Sequence, residues 1–191
     1  MNPIAHLFSS WTLADLAGTD RKSRMLVTWA GVLPDLDGLG LLVDVGNRLL
    51  GRPETSYYSL WHHWLLHGLP GVIFLAGALS LLAVRRRVVL ALGFLTIHFH
   101  LLCDLAGSRG SNPGDIWPIP YLAPISERLT LHWNGQWPLD SWPNIAFLAL
   151  LLGYAFYRAA KSGYSPLEIF GTRTDSAFVA AVRRRWSSFR S

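Results

Sequence analysis

Three runs of apolar residues, each of helical length, dominate the hydrophobic pattern of this chain. They cover Leu69 to Val84, Val88 to Ile97, and Ile145 to Tyr157. Each is shorter than the roughly 20 apolar residues that cross a bilayer comfortably. Trp61, Trp64 and Trp142 stand beside the runs and could extend them as aromatic anchors at the membrane surface. The pattern predicts an all-α, membrane-associated helical bundle with about three apolar helices.

The segments outside these runs differ in composition. Gly107 to Pro143 is rich in proline, glycine and tryptophan, which predicts a long structured loop, and loops of this length are usually functional. From Lys161 onward the chain is polar and basic, as in a surface helix or a loose tail. The N-terminus lacks the basic and apolar regions of a secretory signal, so we expect it to belong to the mature fold. We therefore predict a membrane domain over residues 1–160 and a basic C-terminal tail over 161–191.

Composition and charge support a membrane protein. Of the 191 residues, 51% are hydrophobic and only 15% are charged, and the length suits one domain. The net charge of +5 reflects clusters at 85–87 and 183–185, which lie beside apolar segments as cytoplasmic membrane flanks do. Membrane lipids are the expected partners, and no specific nucleic-acid binding is expected. Cys103, the single cysteine, excludes internal disulfides and cysteine-rich zinc sites and is expected to be a small buried residue.

The sequence HFHLLCD at residues 98–104 places polar groups inside an apolar helix. His100 and Asp104 are four residues apart and therefore share one face of that helix, where they could ligate a divalent metal such as zinc. The alternative is a core histidine that hydrogen-bonds its own carboxylate. His98 points away from this pair, so we expect it to pack or to support a ligand.

Two further clusters add candidate ligands. In WHHWLLHG, His63 and His67 would face one way on a helix, whereas His62 and His67 would converge only if the helix begins between them. The alternative is a set of histidines at the membrane boundary. In GVLPDLDGLG, Asp35 and Asp37 need a proton, a basic partner or a cation if they are buried, unless they cap a helix.

His6 adds one more nitrogen to this collection. Oxygen and nitrogen ligands without thiolates are typical of hydrolytic sites for zinc, manganese or similar ions. The sequence thus predicts a metal site at one end of the bundle.

The motifs PDLDG, HHWLLHG, HLLCDLAGSRG and WPIPY, in this order, resemble the bacterial membrane-bound metal-dependent hydrolase family, whose relatives include the zinc-dependent phospholipase C and nuclease fold. The resemblance covers roughly residues 1–157. It implies metal ligands at His6, Asp35, Asp37, His67, His100 and Asp104. The family pattern also has a histidine at the position of His62, followed by an arginine where this chain has His63, so the choice between His62 and His63 stays open.

The resemblance implies a hydrolase in which one or two divalent ions, zinc or a similar metal, activate a water that attacks a phosphoester or related ester. Its substrate would be a small anionic or lipid-derived molecule. Asp104 and Asp37 are the expected catalytic residues, with Asp37 acting as a general base or as a group that orients a ligand. Arg109 and Ser111 could anchor an anionic group. The alternatives are a non-enzymatic metal-binding or metal-transport protein and a haem-binding bundle.

Charge also predicts the membrane orientation. The short loop at 85–87 carries three arginines, so the positive-inside rule places it in the cytoplasm. A hairpin of the first two runs would then carry both ligand clusters to the opposite end. We therefore expect a multi-pass protein of the bacterial inner membrane whose site faces outward.

Overall fold

The computed structural model describes residues 1–188, and the fold is helical almost throughout. The α-helices are α1 (Pro3–Leu16), α2 (Arg21–Ala30), α3 (Gly40–Leu49), α4 (Tyr57–Trp61), α5 (Leu69–Leu81), α6 (Arg86–Gly107), α7 (Trp142–Ser162) and α8 (Thr172–Ser188). Two 3-10 helices cover Leu33–Leu39 and Pro166–Phe170, and two short strands, β1 (Ile119–Pro120) and β2 (Thr130–Leu131), pair antiparallel. The all-α prediction is confirmed.

The helix ends follow local chemistry. Asn2 caps α1 by accepting a hydrogen bond from the Ala5 amide at 2.8 Å, and Pro3 supplies a first residue that needs no amide partner. Asp20 caps α2 through the Ser23 amide at 3.0 Å. Gly163 ends α7 with a φ of 81°, a left-handed conformation that glycine adopts without steric cost.

Small residues let the central helices approach closely. Ala30 of α2, Ala76 of α5 and Gly93 of α6 meet at one point in the core, and an added Cβ on Gly93 would already touch both alanines. The helices alternate in direction, so one end of the bundle gathers the starts of α1, α5 and α7 and the ends of α2 and α6. This end carries the candidate ligands, and the arginines at 85–87 lie at the other end.

Three helical stretches within residues 1–188 have the length and composition needed to cross a membrane: Arg21–Leu49, Arg86–Gly107 and Trp142–Ser162. The last two contain the second and third predicted runs. The first predicted run forms α5, which has 13 residues and is too short to count among the three. Arg21–Leu49 was not predicted, because its apolar residues are divided by the carboxylates around the first 3-10 helix.

The segment that follows α7 packs into the bundle before α8 begins. Glu168 is fully buried and accepts hydrogen bonds from Arg24 Nη2 at 2.8 Å and from Trp11 Nε1 at 2.9 Å. A neighbouring carboxylate, Asp15, accepts from Tyr154 at 2.7 Å and from Tyr164 at 2.8 Å. The predicted tail therefore starts with a structural segment and continues as a helix, and its residues 189–191 lie outside the described part of the chain.

The long loop between α6 and α7 is ordered by a buried amide. Gln136 Nε2 donates to the Asp104 carbonyl at 2.9 Å, and Gln136 Oε1 accepts from the Trp117 amide at 3.0 Å. Asn144 at the start of α7 donates to the Gly107 carbonyl at 2.8 Å. These bonds hold the loop against the end of α6, which confirms that it is structured.

Candidate metal centre

The candidate ligands come from four separate segments and converge at one end of the bundle. His6 lies in the second turn of α1, Asp35 in the first 3-10 helix, His67 just before α5, and His100 and Asp104 near the end of α6. Except for Asp35, which is partly exposed, these side chains are almost completely buried. The structure therefore brings together residues that are up to 98 positions apart in the sequence.

Two histidines face each other at the centre of the cluster. His67 Nε2 and His100 Nε2 are 3.0 Å apart. His100 Nδ1 lies 2.8 Å from the Gly31 carbonyl, which can only accept, so the proton of a neutral His100 sits on Nδ1 and its Nε2 carries a lone pair. Asp37 accepts in the same way from His67 Nδ1 at 2.8 Å. Two such lone pairs at this distance repel unless a proton or a metal ion lies between them.

Gly31 is a part of the site that the sequence did not indicate. A Cβ at this position would overlap the Ser10 hydroxyl of α1 and would crowd the Thr96 side chain of α6. Only glycine therefore lets α1, α2 and α6 approach closely enough for the Gly31 carbonyl to reach His100. A main-chain acceptor has no signature in the sequence, and nothing in the composition distinguished this glycine from the others.

Asp37 lies behind the histidines. Its Oδ1 accepts from His62 Nδ1 at 2.9 Å, and its Oδ2 accepts from His67 Nδ1 at 2.8 Å and from the Leu66 amide at 3.2 Å. With both oxygens engaged, Asp37 is placed to orient two histidines, which is one of the two roles expected of it. It is not a member of either group of side chains that could hold a metal ion among residues 1–188.

Asp104 joins the remaining ligands. Its Oδ2 lies 3.0 Å from His100 Nε2 and 3.5 Å from His67 Nε2, and its Oδ1 lies 3.1 Å from His6 Nε2. The His6 and His100 rings stack with centroids 3.7 Å apart. The Met1 amino group also contacts Asp104, so a cationic group already lies against this carboxylate.

Asp35 lies near the same two histidines. Its Oδ1 is 3.7 Å from His100 Nε2 and 3.9 Å from His67 Nε2. Its buried Oδ2 has no hydrogen-bond partner among residues 1–188. A buried carboxylate oxygen without a partner is costly, and a cation would relieve that cost.

The cluster of His62, His63 and His67 forms in a way that the helix geometry did not predict. The three residues were expected at the start of an apolar helix, but α4 ends at Trp61 and α5 begins at Leu69, so they lie in the turn between them. The helical argument for His63 is therefore wrong. His63 instead has a left-handed backbone with a φ of 67°, which is uncommon outside glycine and typical of functional sites.

All three histidines nevertheless remain candidate ligands. Their nitrogens lie within 4.8 Å of one another, and His63 Nε2 is 3.9 Å from Asp104 Oδ2. His63 Nδ1 is buried without a hydrogen-bond partner among residues 1–188. The choice between His62 and His63 stays open, because either ring could turn a nitrogen toward an ion beside His67.

The histidines of the cluster have pKa values displaced in opposite directions. Burial and the facing His100 ring lower the pKa of His6 to about 4, so His6 is neutral at pH 7. Burial and the nearby His67 also lower the pKa of His63. Burial opposes the protonation of His67, but its hydrogen bonds with Asp104 and Asp37 outweigh that effect and raise the pKa of His67 to about 9. A metal ion would have to displace this proton.

Two adjoining groups of side chains could hold ions. The first contains His62, His63 and His67. The second contains His6, Asp35, His100 and Asp104. Because His67 of the first group faces His100 of the second at 3.0 Å, the two groups form one continuous cluster. This set of imidazole nitrogens and carboxylate oxygens could hold a metal ion.

A pocket of about 380 Å³ opens beside this cluster. Asp35, His63 and Asp104 line it, and Tyr58, Ser108, Trp117, Asp115 and Asp140 are among the lining residues that the sequence did not indicate. Arg109 and Ser111, the residues expected to anchor an anionic group, also line the pocket. Arg109 donates from Nε to the Gln136 carbonyl at 2.9 Å and from Nη1 to the Asn112 carbonyl at 2.7 Å, so two hydrogen bonds hold the guanidinium beside the pocket.

His98 and Cys103 lie apart from the ligands. His98 Nδ1 bonds the Phe94 carbonyl at 2.8 Å, and His98 Nε2 bonds the Tyr121 hydroxyl at the same distance. This arrangement agrees with the packing role expected for His98. Cys103 is buried, as predicted.

Comparison with known proteins places the chain in a membrane protein family. A family model described as YdjM inner membrane protein matches residues 1–182. Neither a curated protein nor a solved structure matches the chain. The match agrees with the three helical stretches that have the length and composition to cross a membrane, and it confirms the prediction of a multi-pass inner-membrane protein. The chain belongs to the YdjM inner membrane protein family.

Proposed function

We propose that this protein binds one or two divalent ions at the His and Asp cluster and uses them to hydrolyse a phosphoester or a related ester. The observation that carries the proposal is the pair of Nε2 atoms of His67 and His100, which are 3.0 Å apart while both Nδ1 atoms are engaged elsewhere. Imidazoles oriented in this way by a carboxylate and a carbonyl are typical of metal ligands.

The ligand set combines neutral and anionic groups. His67, His100 and Asp104 would form the centre of the site, with His6 and Asp35 completing the coordination. The carboxylates Asp35 and Asp104 favour metal ions over a haem, because haem iron takes an axial histidine pair and leaves both acids without a role. Zinc or manganese fits oxygen and nitrogen donors, and the absence of thiolates from the cluster disfavours softer metals.

The pocket supports hydrolysis rather than simple storage of an ion. A bound divalent ion would lower the pKa of a water and polarise the scissile group. The chain itself would hold the histidines in place through Asp37 and Gly31, and Arg109 would bind the anionic group at the mouth. In the proposed reaction, the water oxygen would form a bond to phosphorus as the bond from phosphorus to the ester oxygen breaks, and the proton lost by the water would pass to the leaving oxygen, which departs as an alcohol.

The test is a substrate screen of the purified full-length protein. Phosphomonoester, phosphodiester and carboxylic ester substrates would be assayed with and without zinc and manganese. We expect metal-dependent hydrolysis of a phosphoester, at least 100-fold reduced in His100→Gln. Metal binding without hydrolysis of any substrate would instead favour the non-enzymatic metal-binding alternative.

A further inference from the structure

The outward side of α3 carries an apolar stripe that nothing in residues 1–188 covers. The stripe, here called the α3 face, consists of Leu39, Leu42, Val43, Leu49 and Leu50. These positions follow the three- and four-residue spacing of one helix face. Leu42 is 69% exposed and Leu49 is 81% exposed, so both side chains lie almost entirely outside the protein core.

The opposite side of α3 is firmly attached to α4. Asp44 accepts hydrogen bonds from the Tyr57 amide at 3.0 Å and the Tyr58 amide at 2.8 Å. Gly40 lies so close to the Tyr57 backbone that a Cβ there would overlap it. Tyr58 also lines the pocket. The attachment of α3 to α4 therefore fixes α3 relative to the part of the pocket that Tyr58 lines.

Several observations favour lipid as the occupant of the α3 face. The helix is the last part of Arg21–Leu49, an apolar stretch long enough to cross a membrane, and the chain belongs to an inner-membrane family. Leu60 and Trp61 of α4 are also exposed, and tryptophan is enriched at the membrane interface. Arg48, whose side chain is 77% exposed and lies 3.7 Å from the Glu54 carboxylate, falls by helix periodicity on the side of α3 away from the stripe.

We propose that the α3 face inserts into the membrane leaflet at the end of the bundle that carries the His and Asp cluster. This insertion would hold the opening of the pocket at the lipid surface. The pocket would then receive the polar part of an amphiphile whose apolar part stays in the leaflet. This last statement rests on the proposed hydrolytic function, whereas insertion of the α3 face does not.

Insertion can be measured with spin labels. Single cysteines at Leu42 and Arg48, in a Cys103→Ser background, would be labelled and reconstituted into phosphatidylethanolamine and phosphatidylglycerol vesicles. We expect the label at Leu42 to be accessible to oxygen and shielded from a water-soluble nickel complex, and the label at Arg48 to be accessible to the nickel complex. Equal nickel access at both positions would overturn the proposal. So would spin coupling between Leu42 labels, because a second copy would then cover the face.

The proposed route of an amphiphilic substrate from the leaflet to the pocket is tested with the same phosphate ester, once dissolved in water and once in a membrane. A short-chain phosphatidate that stays monomeric in water is compared with a long-chain phosphatidate in vesicles. Leu42→Asp with Leu49→Asp should slow hydrolysis in vesicles at least tenfold and leave the monomeric substrate within twofold of the parent rate. Leu42→Phe with Leu49→Phe is the matched control and should preserve both rates.

The outcomes separate the two proposals. An equal loss on both phosphatidates would overturn the membrane route to the pocket, as would no loss on either. If the parent protein hydrolyses neither phosphatidate, the substrate class is wrong, and the spin-label result still decides whether the α3 face is inserted.

Discussion

Replacement of Asp37 by asparagine tests whether this residue orients the ligands or is itself a ligand. The carboxylate accepts from His62 at 2.9 Å, from His67 at 2.8 Å and from the Leu66 amide at 3.2 Å. Asparagine has nearly the same shape but offers one acceptor oxygen and no charge, so it can satisfy only one side of this arrangement. His67 would lose one of its two anionic partners, because Asp104 remains, and the ligand atoms themselves would stay in place.

We expect Asp37→Asn to lower the affinity for the metal ion and to leave the number of bound ions unchanged. Removing a partner that orients a metal-bound histidine usually weakens metal binding by about 10- to 100-fold. At about 1.4 kcal/mol per tenfold, this corresponds to roughly 1.4 to 2.8 kcal/mol of binding free energy. We therefore expect Asp37→Asn to bind the same number of ions as the parent protein, with a Kd for zinc 10 to 100 times higher.

The assay is a competition titration of the detergent-solubilised protein against a chromogenic zinc indicator. Asp20→Asn is the matched control, because it makes the same chemical change at an exposed residue far from the site, and asparagine caps a helix as well as aspartate does. A Kd for Asp37→Asn within twofold of the parent value would refute the orienting role. Complete loss of one ion would show that Asp37 is a ligand, as the family resemblance implied.

Three further predictions address stability, topology and metal linkage. Glu168→Gln would leave the buried Arg24 guanidinium without a counter-charge, and we expect it to lower the free energy of unfolding by about 3 to 5 kcal/mol; an unchanged thermal midpoint in detergent would contradict this. Cysteines placed at Ser111 and Ser187 in a Cys103→Ser background should differ in intact cells, with a membrane-impermeant reagent labelling position 111 and not 187; the opposite pattern would reverse the predicted orientation. Zinc at 100 times its Kd should stabilise the folded protein by about 2.7 kcal/mol, and a chelator should reverse the shift in melting temperature; a midpoint that zinc does not move would argue against a specific site.

Sequence reasoning worked where the ligands lie on a regular element. The four-residue spacing of His100 and Asp104 placed both on one face of a helix, and they share that face in α6, with His100 Nε2 3.0 Å from Asp104 Oδ2. The apolar length of the same segment also indicated a possible membrane span. Both inferences depend only on helix periodicity and composition, which are local properties of the sequence.

The same reasoning failed where the backbone leaves regular structure. His62, His63 and His67 converge because a turn separates α4 from α5 and because His63 adopts a left-handed conformation. Neither feature follows from apolar periodicity. The spacing of the histidines therefore predicted correctly that they cluster, but it predicted wrongly that a helix brings them together.

Groups that support the ligands were the hardest to predict. The Gly31 carbonyl orients His100 only because α1 packs closely against the end of α2, and Gln136 reaches the Asp104 carbonyl only because the long loop folds back over α6. Both contacts depend on tertiary packing between distant segments. A single sequence contains no local pattern for either one.

The central claim is that the His and Asp cluster holds a metal ion. The most direct measurement is elemental analysis of protein purified from membranes and dialysed against metal-free buffer, for the parent chain and for Asp104→Asn. Circular dichroism would establish that both have the same helix content. The account predicts at least one divalent ion per parent chain and a far lower content in Asp104→Asn. A parent protein that carries no ion, and takes up neither zinc nor manganese when titrated, would contradict it.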